Sequence, residues 1–264
     1  MIGANVSKYD PHFYSTYQSA SFSSATHFVR LLNPILKPKS VVDVGCGIGT
    51  WLKAWRTAGI EDIQGIDGNY VDRTQLQIPV EKFSPCDLAN PPKTWTRKFD
   101  LAVSMEVGEH LPDTSSEAFV RLLCSLSDVV LFSAAVPYQG GTHHINEQWP
   151  EFWAEHFDRM GFVPVDFVRT KLWDNREVEY YYAQNALIFV RKERINDWPE
   201  LRDAGAWTNP KCLARIHPRK WIHSNESPLP MKRLLTTIPS STISFLRRGT
   251  SKFLRICGMG KSAQ

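Results

Sequence analysis

Residues 40–50, from Ser40 to Thr50, read S-V-V-D-V-G-C-G-I-G-T. A short apolar run (Val41, Val42, Val44) is broken by glycines at alternate positions, Gly45, Gly47 and Gly49. A segment of helical spacing, Trp51 to Ala58, follows. The order is that of a buried parallel strand, a tight turn and a helix N-terminus. Glycine is required where the backbone takes a left-handed φ, or where it lies against a ligand with no Cβ between. A nucleotide-like ligand over the turn is the functional reading, and acidic markers at nucleotide spacing support it.

Those markers follow. Asp67 closes the second apolar run, I-Q-G-I-D-G (Ile63 to Gly68), 18 residues past Gly49. A carboxylate there accepts from both hydroxyls of a ribose, as in dinucleotide folds. Asp87 follows the third run, V-E-K-F (Val80 to Phe83), where it can accept from an adenine amino group. Asp43 lies inside the first strand, and a buried acid needs a partner, which a loop amide or a ligand ammonium would supply.

Further runs alternate with helical patterns. Strands are expected at Phe99 to Met105 and Val129 to Val136, with a helix at Ser115 to Leu126. Trp149 to Met160 reads as helix, and Phe162 to Val168 and Ala186 to Val190 as strands. The fold class is therefore α/β: a doubly wound, Rossmann-like, mostly parallel sheet with a C-terminal antiparallel edge hairpin and a basic C-terminal extension. Residues 1–36 form an N-terminal segment with a helix from about Ser23 to Leu32, ended by Asn33-Pro34. It is either a lid over the ligand or a loosely held terminus. The main domain spans 37–193 and the extension 194–264, where Pro199, Pro210, Pro218, Pro228, Pro230 and Pro239 interrupt the pattern.

V-D-V-G-C-G-I-G resembles motif I of the class I S-adenosylmethionine-dependent methyltransferases. Asp67, then C-D-L at Cys86 to Leu88, then F-D-L-A-V-S-M-E-V-G-E-H-L-P from Phe99 to Pro112, resemble that family's later motifs in order. The likeness covers about residues 20–192. It implies that Gly45, Cys46, Gly47 and Gly49 line the methionine and ribose part of S-adenosylmethionine. It also implies that Asp67 holds the ribose, that Asp87 and Leu88 flank the adenine, and that Met105 and Glu106 lie near the sulfonium. NAD fits less well, because the glycines run G-x-G-x-G and no second α/β half follows.

Methyl transfer requires a nucleophile in line with the S–CH3 bond at roughly 3 Å. A hydroxyl must also lose its proton, which calls for a base or a metal. Two clusters offer these groups: Glu106, Glu109 and His110 after the fourth strand, and the loop Tyr138 to Trp153 with His143 and His144 after the fifth. In a doubly wound sheet both loops open on the ligand crevice. Glu106, Glu109, His110, His143 and His144 are the candidates for base, metal or substrate contact. Glu106, Glu109, His110 and His144 make an O/N set suited to Mg2+, Mn2+ or Zn2+, with Mg2+ the first expectation. The arrangement is similar to that of the ubiquinone-pathway O-methyltransferases and the RNA 3′-terminal 2′-O-methyltransferases, which place a divalent ion at such a cluster. A further stretch, Trp173 to Asn185 with Tyr180, Tyr181, Tyr182 and Gln184, reads either as a sugar-binding surface or as tyrosines packing an edge strand.

Composition sets the remaining limits. No apolar run reaches the 18 or more residues of a membrane span. The N-terminal residues lack a secretory pattern, and the five cysteines are widely spaced, so a reducing cytoplasm is expected. From Lys211 to Gln264 there are 11 Lys/Arg and one acid, Glu226, against 20 basic and 26 acidic residues before them. Basic and apolar residues are mixed from Pro228 to Gly260, which suits either a peripheral contact with the inner face of a membrane or a self-packed appendage. The expected function is O-methylation of a small molecule or a lipid-linked glycan. RNA 2′-O-methylation and cofactor binding without turnover are the competing readings. Confinement of the basic residues to the tail argues against nucleic acid.

Overall fold

A computed structural model describes residues 11–93 and 95–226, with side chains over 19–93 and 95–222. The glycine-broken run becomes strand β1 (Ser40–Val44), all five residues buried, followed by helix α2 (Thr50–Thr57). Helix α1 (Pro11–Leu36) precedes them. Then come β2 (Asp62–Asp67), β3 (Phe83–Pro85), β4 (Leu101–Met105), α3 (Ser116–Leu126), β5 (Val129–Ser133), α4 (Pro150–Arg159), β6 (Phe162–Val165), α5 (Val168–Leu172), α6 (Tyr180–Asn185), β7 (Leu187–Arg191), α7 (Pro199–Trp207) and α8 (Pro218–Glu226). The strands form one sheet in the order β3-β2-β1-β4-β5-β7-β6. The pairs among β1 to β5 are parallel, whereas β7 runs antiparallel to both β5 and β6, so the expected edge hairpin is present.

Strand alternation divides the core into two layers. Val41, Leu101, Val103, Val129 and Leu131 pack with α1, α2, α5 and α6. Val42, Val44, Ala102, Val130 and Phe132 pack with α3 and α4. The chain leaves β1 for β2 on one side and β4 neighbours β1 on the other. The crevice therefore opens at the carboxyl ends of β1 and β4, where strand order reverses.

Several expected boundaries move. Helix α1 does not stop at Asn33-Pro34 but runs through Pro34 to Leu36, and Lys37, at φ 44°, donates its N–H to Asn33 O at 2.9 Å. Packing of Leu32, Ile35 and Leu36 against the core offsets the donor that Pro34 lacks. Val80 to Lys82 is a 3-10 turn rather than strand, with Val80 exposed, and the ladder begins at Phe83. Strand β6 ends at Val165 because the Asp166 N–H goes to Thr208 Oγ1. The stretch Tyr180–Asn185 is helix, not edge strand, with Tyr182, Gln184 and Asn185 buried.

The compact unit also continues past the boundary expected near Glu193, as far as Lys220. Pro199 and Pro218 do not break the structure; they occupy first turns of helices, where the missing N–H costs nothing. Buried Arg169 donates to both Asp166 carboxylate oxygens and to Leu213 O, and Glu151 accepts the N–H groups of Leu213 and Ala214. A second unit begins at Trp221. The basic, apolar stretch Pro228 to Gly260 lies outside the described residues, as do the side chains of the first part of α1. No helix among the described residues is long and apolar enough to cross a membrane.

Candidate active site

The turn after β1 holds three glycines at φ 83°, 52° and 86°. Gly45 has no room for a side chain: a Cβ there would lie 2.3 Å from Val107 Cγ2. Gly49 begins α2 against Ile78. A Cβ on Gly47 would meet nothing within 4 Å, so bare main chain faces open space. That space is a crevice of about 870 Å3 lined by Gly45, Gly47, Asp67, Asp87, Leu88 and Glu106, among others. Its size and its backbone wall suit a nucleoside with a side chain attached.

Asp67 ends β2 beneath this turn. Its Oδ2 accepts from the Gly47 N–H at 2.7 Å, and its Oδ1 accepts from the Gly68 N–H and the Tyr70 hydroxyl, both at 2.6 Å. Asp87, also on the crevice wall, is exposed. Hydrogen bonds from Asn90 Nδ2 and the Ala89 N–H hold its carboxyl below the usual carboxylate range. Asp43 is buried on the α2 side of β1, and burial, then the neighbouring Asp67, push its carboxyl well up.

Glu106 follows β4 in a left-handed conformation, φ 56°, unusual for a non-glycine residue. Its N–H donates to the carbonyl and hydroxyl oxygens of Ser133, both at 3.0 Å. Its carboxylate is gripped by buried amides: Gln139 Nε2 donates to Oε2 at 2.8 Å and Asn185 Nδ2 to Oε1 at 3.0 Å. Gln184 Nε2 donates to Asn185 Oδ1, and the His217 N–H donates to Gln184 Oε1. Burial pushes the Glu106 carboxyl up, and the donors from Asn185, Ser133 and Gln139 pull it partly back.

Three residues later, Glu109 is fully buried, and neither carboxylate oxygen has a partner in good hydrogen-bond geometry among the described residues; its own N–H and that of Ala135 are close enough only to draw its carboxyl partly down. Burial, then the charge of Glu106, push its carboxyl well above the usual range. Ligand atoms of Glu109, His110 and His144 lie within 4.8 Å of one another. A carbonyl only accepts, so the His110 contact with His143 O at 3.3 Å places the proton on Nδ1. His144 Nδ1 faces Glu147 Oε1 at 2.9 Å, which places its proton there too. Both imidazoles thus keep Nε2 free to bind a ligand. Burial, then His144, lower the pKa of His110, which favours the neutral ring that a metal needs. A buried carboxylate without a well-formed hydrogen bond beside two such rings fits a divalent cation of the Mg2+, Mn2+ or Zn2+ class.

A family profile described as a methyltransferase domain matches residues 17–166, more than half of the chain. The chain belongs to that family. It is an S-adenosylmethionine-dependent methyltransferase. Among solved structures it is similar to DesVI of Streptomyces venezuelae, at 16% identity and a TM-score of 0.51, over 68% of this chain and 95% of that one. It is also similar to the magnesium protoporphyrin IX methyltransferase ChlM of Synechocystis with bound S-adenosylhomocysteine, at 16% identity and a TM-score of 0.49, over 71% and 90%. The first likeness shows the fold.

Within the methyltransferase crevice, Gly45, Gly47, Asp67, Asp87, Leu88, Glu106, His110 and His143 all stand on the wall. Others expected there do not. Cys46 is buried, its sulfur against Gly65 and Leu52's side of the sheet, and Met105 and Asp43 lie in the same interior layer. Residues alternate across a strand and its exit, so every second one must face inward. Gly49 shapes the turn without lining the crevice. Of the four expected metal ligands, Glu106 is not in the group whose ligand atoms lie within 4.8 Å of one another; its carboxylate stands beside Glu109, with each oxygen accepting from one amide. Gln184 and Asn185 are buried supports of Glu106 rather than an exposed sugar surface. Tyr70, Gln139 and Glu147 escaped the sequence reading. Only the H-H-x-x-E spacing of His143 to Glu147 carried a signal, since a carboxylate three residues past a loop histidine can orient it.

Proposed function

We propose that this methyltransferase methylates a hydroxyl oxygen of a small molecule or a lipid-linked glycan, at a divalent cation held by Glu109, His110 and His144. The observation carrying this reading is Glu109, a fully buried carboxylate with no partner in good hydrogen-bond geometry, whose ligand atom lies within 4.8 Å of those of two imidazoles that each engage an oxygen through Nδ1. A buried polar group left unsatisfied costs about 1–3 kcal/mol, and more when charged, unless something binds it. Bound there, such an ion supplies Lewis acidity toward an acceptor hydroxyl.

The protein's own groups do the rest. The glycine turn and Asp67 orient the adenosyl part, with Asp87 at the adenine end. The amide grip on Glu106 keeps its carboxylate at the crevice wall near the transferred methyl. His143, whose ring is exposed on the crevice wall, takes the acceptor's proton. The positive surplus from Lys211 onward suits an acceptor carried on an anionic surface.

Two measurements test this. Metal-stripped protein titrated with Mn2+ and followed by electron paramagnetic resonance should show one tight site that Glu109→Gln and His144→Ala each abolish. No binding by the intact protein sinks the metal reading. Incubation with methyl-tritiated S-adenosylmethionine should label catechol, phenol or sugar acceptors in a metal-dependent manner. Label entering RNA instead overturns the acceptor class.

A further inference from the structure

We propose that the Tyr70 hydroxyl is a placeholder for a ribose hydroxyl on Asp67, and that its displacement sets the affinity for the cofactor. The inference rests on Asp67 as the ribose acceptor and adds a competitor within the protein itself.

Tyr70 is 84% exposed, so packing alone does not fix where its ring lies, although its hydroxyl end is partly shielded beside Asp67. The ring nevertheless lies tightly over Gly68, where an added Cβ would fall 2.1 Å from Cε1. What holds it is the hydroxyl, donating to Asp67 Oδ1 at 2.6 Å. Asp67 itself is only 4% exposed and has little capacity left. A carboxylate offers about two acceptor positions per oxygen. Oδ1 already accepts from the Gly68 N–H and from Tyr70, and Oδ2 from the Gly47 N–H. One position therefore remains, on Oδ2.

A ribose diol brings two donors. The first fits the open position on Oδ2, and the second must take one on Oδ1. The Gly68 amide cannot withdraw, because it is the main chain directly after β2. The Gly47 amide is fixed by the turn, where Gly45 N donates to Ile66 O at 2.7 Å. The phenol, by contrast, swings into solvent by side-chain rotation. Binding of the nucleoside exchanges one charge-assisted hydrogen bond for another, so affinity is lower than the ribose contact alone would give. The same deficit applies to cofactor and product, and it favours product departure.

The test is calorimetry with S-adenosylhomocysteine on the full chain. Tyr70→Phe removes only an oxygen from a surface ring, so the fold is kept. This variant should bind about three- to tenfold tighter than the natural protein, the range for the net worth of one ordinary, solvent-exposed hydrogen bond. Equal or weaker binding overturns the placeholder. Asp67→Ala separates the two levels. If it binds as the natural protein does, the ribose assignment itself fails. If it loses binding while Tyr70→Phe gains nothing, only the placeholder falls.

Discussion

Glu147 and His144 stand 2.9 Å apart, carboxylate Oε1 to ring Nδ1, and the same carboxylate closes the loop around them. Its Oε1 also accepts the Gly140 N–H and its Oε2 the Tyr138 N–H, both at 2.8 Å. Tyr138, Gly140 and His143 all have positive φ in this loop, at 65°, 73° and 60°. Such backbone costs of order 1–3 kcal/mol at each non-glycine position and persists only where surrounding contacts over-determine it. Glu147 is that determinant, and it sets the tautomer of His144 as well.

Glu147→Gln should therefore weaken Mn2+ binding by about 10- to 100-fold, the usual consequence of losing an outer partner of a ligating histidine. The amide's own N–H groups would oppose Tyr138 or Gly140. Affinity for S-adenosylhomocysteine should stay within about twofold, because Glu147 is not on the nucleoside wall. Mn2+ titration and calorimetry on the same sample check both halves.

Glu109 gives a pH dependence of known sign. Burial and Glu106 raise its carboxyl above the value in the unfolded chain. Between the two values the native state holds a proton that the unfolded state has lost, so stability falls as pH rises. Without metal, the protein should lose stability from about pH 4.3, the unfolded glutamate value, up to the raised native one. Glu109→Met removes that loss and should melt higher than the natural protein at pH 7.5, with the gap closing toward pH 4. Melting temperatures in chelator across pH 4–8 decide it.

The two glycines of the crevice should fail differently. Gly45→Ala forces a Cβ to 2.3 Å from Val107 and keeps a left-handed φ, for an expected loss of about 2–3 kcal/mol. Adding Val107→Ala should return about 1 kcal/mol of it, a coupling that urea melts of the four proteins will measure. Gly47→Ala meets no protein atom, so it should cost only about 1 kcal/mol for its φ of 52° while it weakens S-adenosylhomocysteine binding.

Asp166 pairs with two arginines of unequal worth. The Arg169 side chain is fully buried and bidentate, whereas the Arg215 side chain is 47% exposed. Arg169→Met should cost about 3–5 kcal/mol, because it strips a buried carboxylate of its bidentate partner, leaving only the half-exposed Arg215 on Oδ2, and frees Leu213 O. Arg215→Met should cost less than about 1 kcal/mol. Similar losses in urea for both would contradict this ranking.

Much of the site was legible before the fold. V-V-D-V-G-C-G-I-G-T fixed a strand, a turn and a helix because those glycines exclude a continuous strand. Asp67, Glu109, His110 and His144 were named from their places after strand ends, where a doubly wound sheet opens. The amide relay was not legible. Gln139 lies in the loop after β5 and Gln184 and Asn185 end α6, with α4, β6 and α5 between them, and nothing local marks an amide as facing a carboxylate 79 residues away. The continuation to Lys220 was hidden for the same reason, since Pro199 and Pro218 read alike as breakers and as first-turn residues.

The succession of strands along the chain and the placing of acids at their ends were determined by sequence alone, because each depends on short-range periodicity and on glycine's freedom at a turn; the cofactor class rested on the resemblance of the glycine run and the later motifs to the methyltransferase family. Tertiary structure decided which of those side chains face one another. It turned Cys46 and Met105 inward, engaged Glu106 with the amides of Gln139 and Asn185, and set Tyr70 on Asp67. The physical reason is that hydrogen-bond capacity and burial are properties of the packed neighbourhood, and a carboxylate's remaining lone pairs can be counted only once its donors are in place.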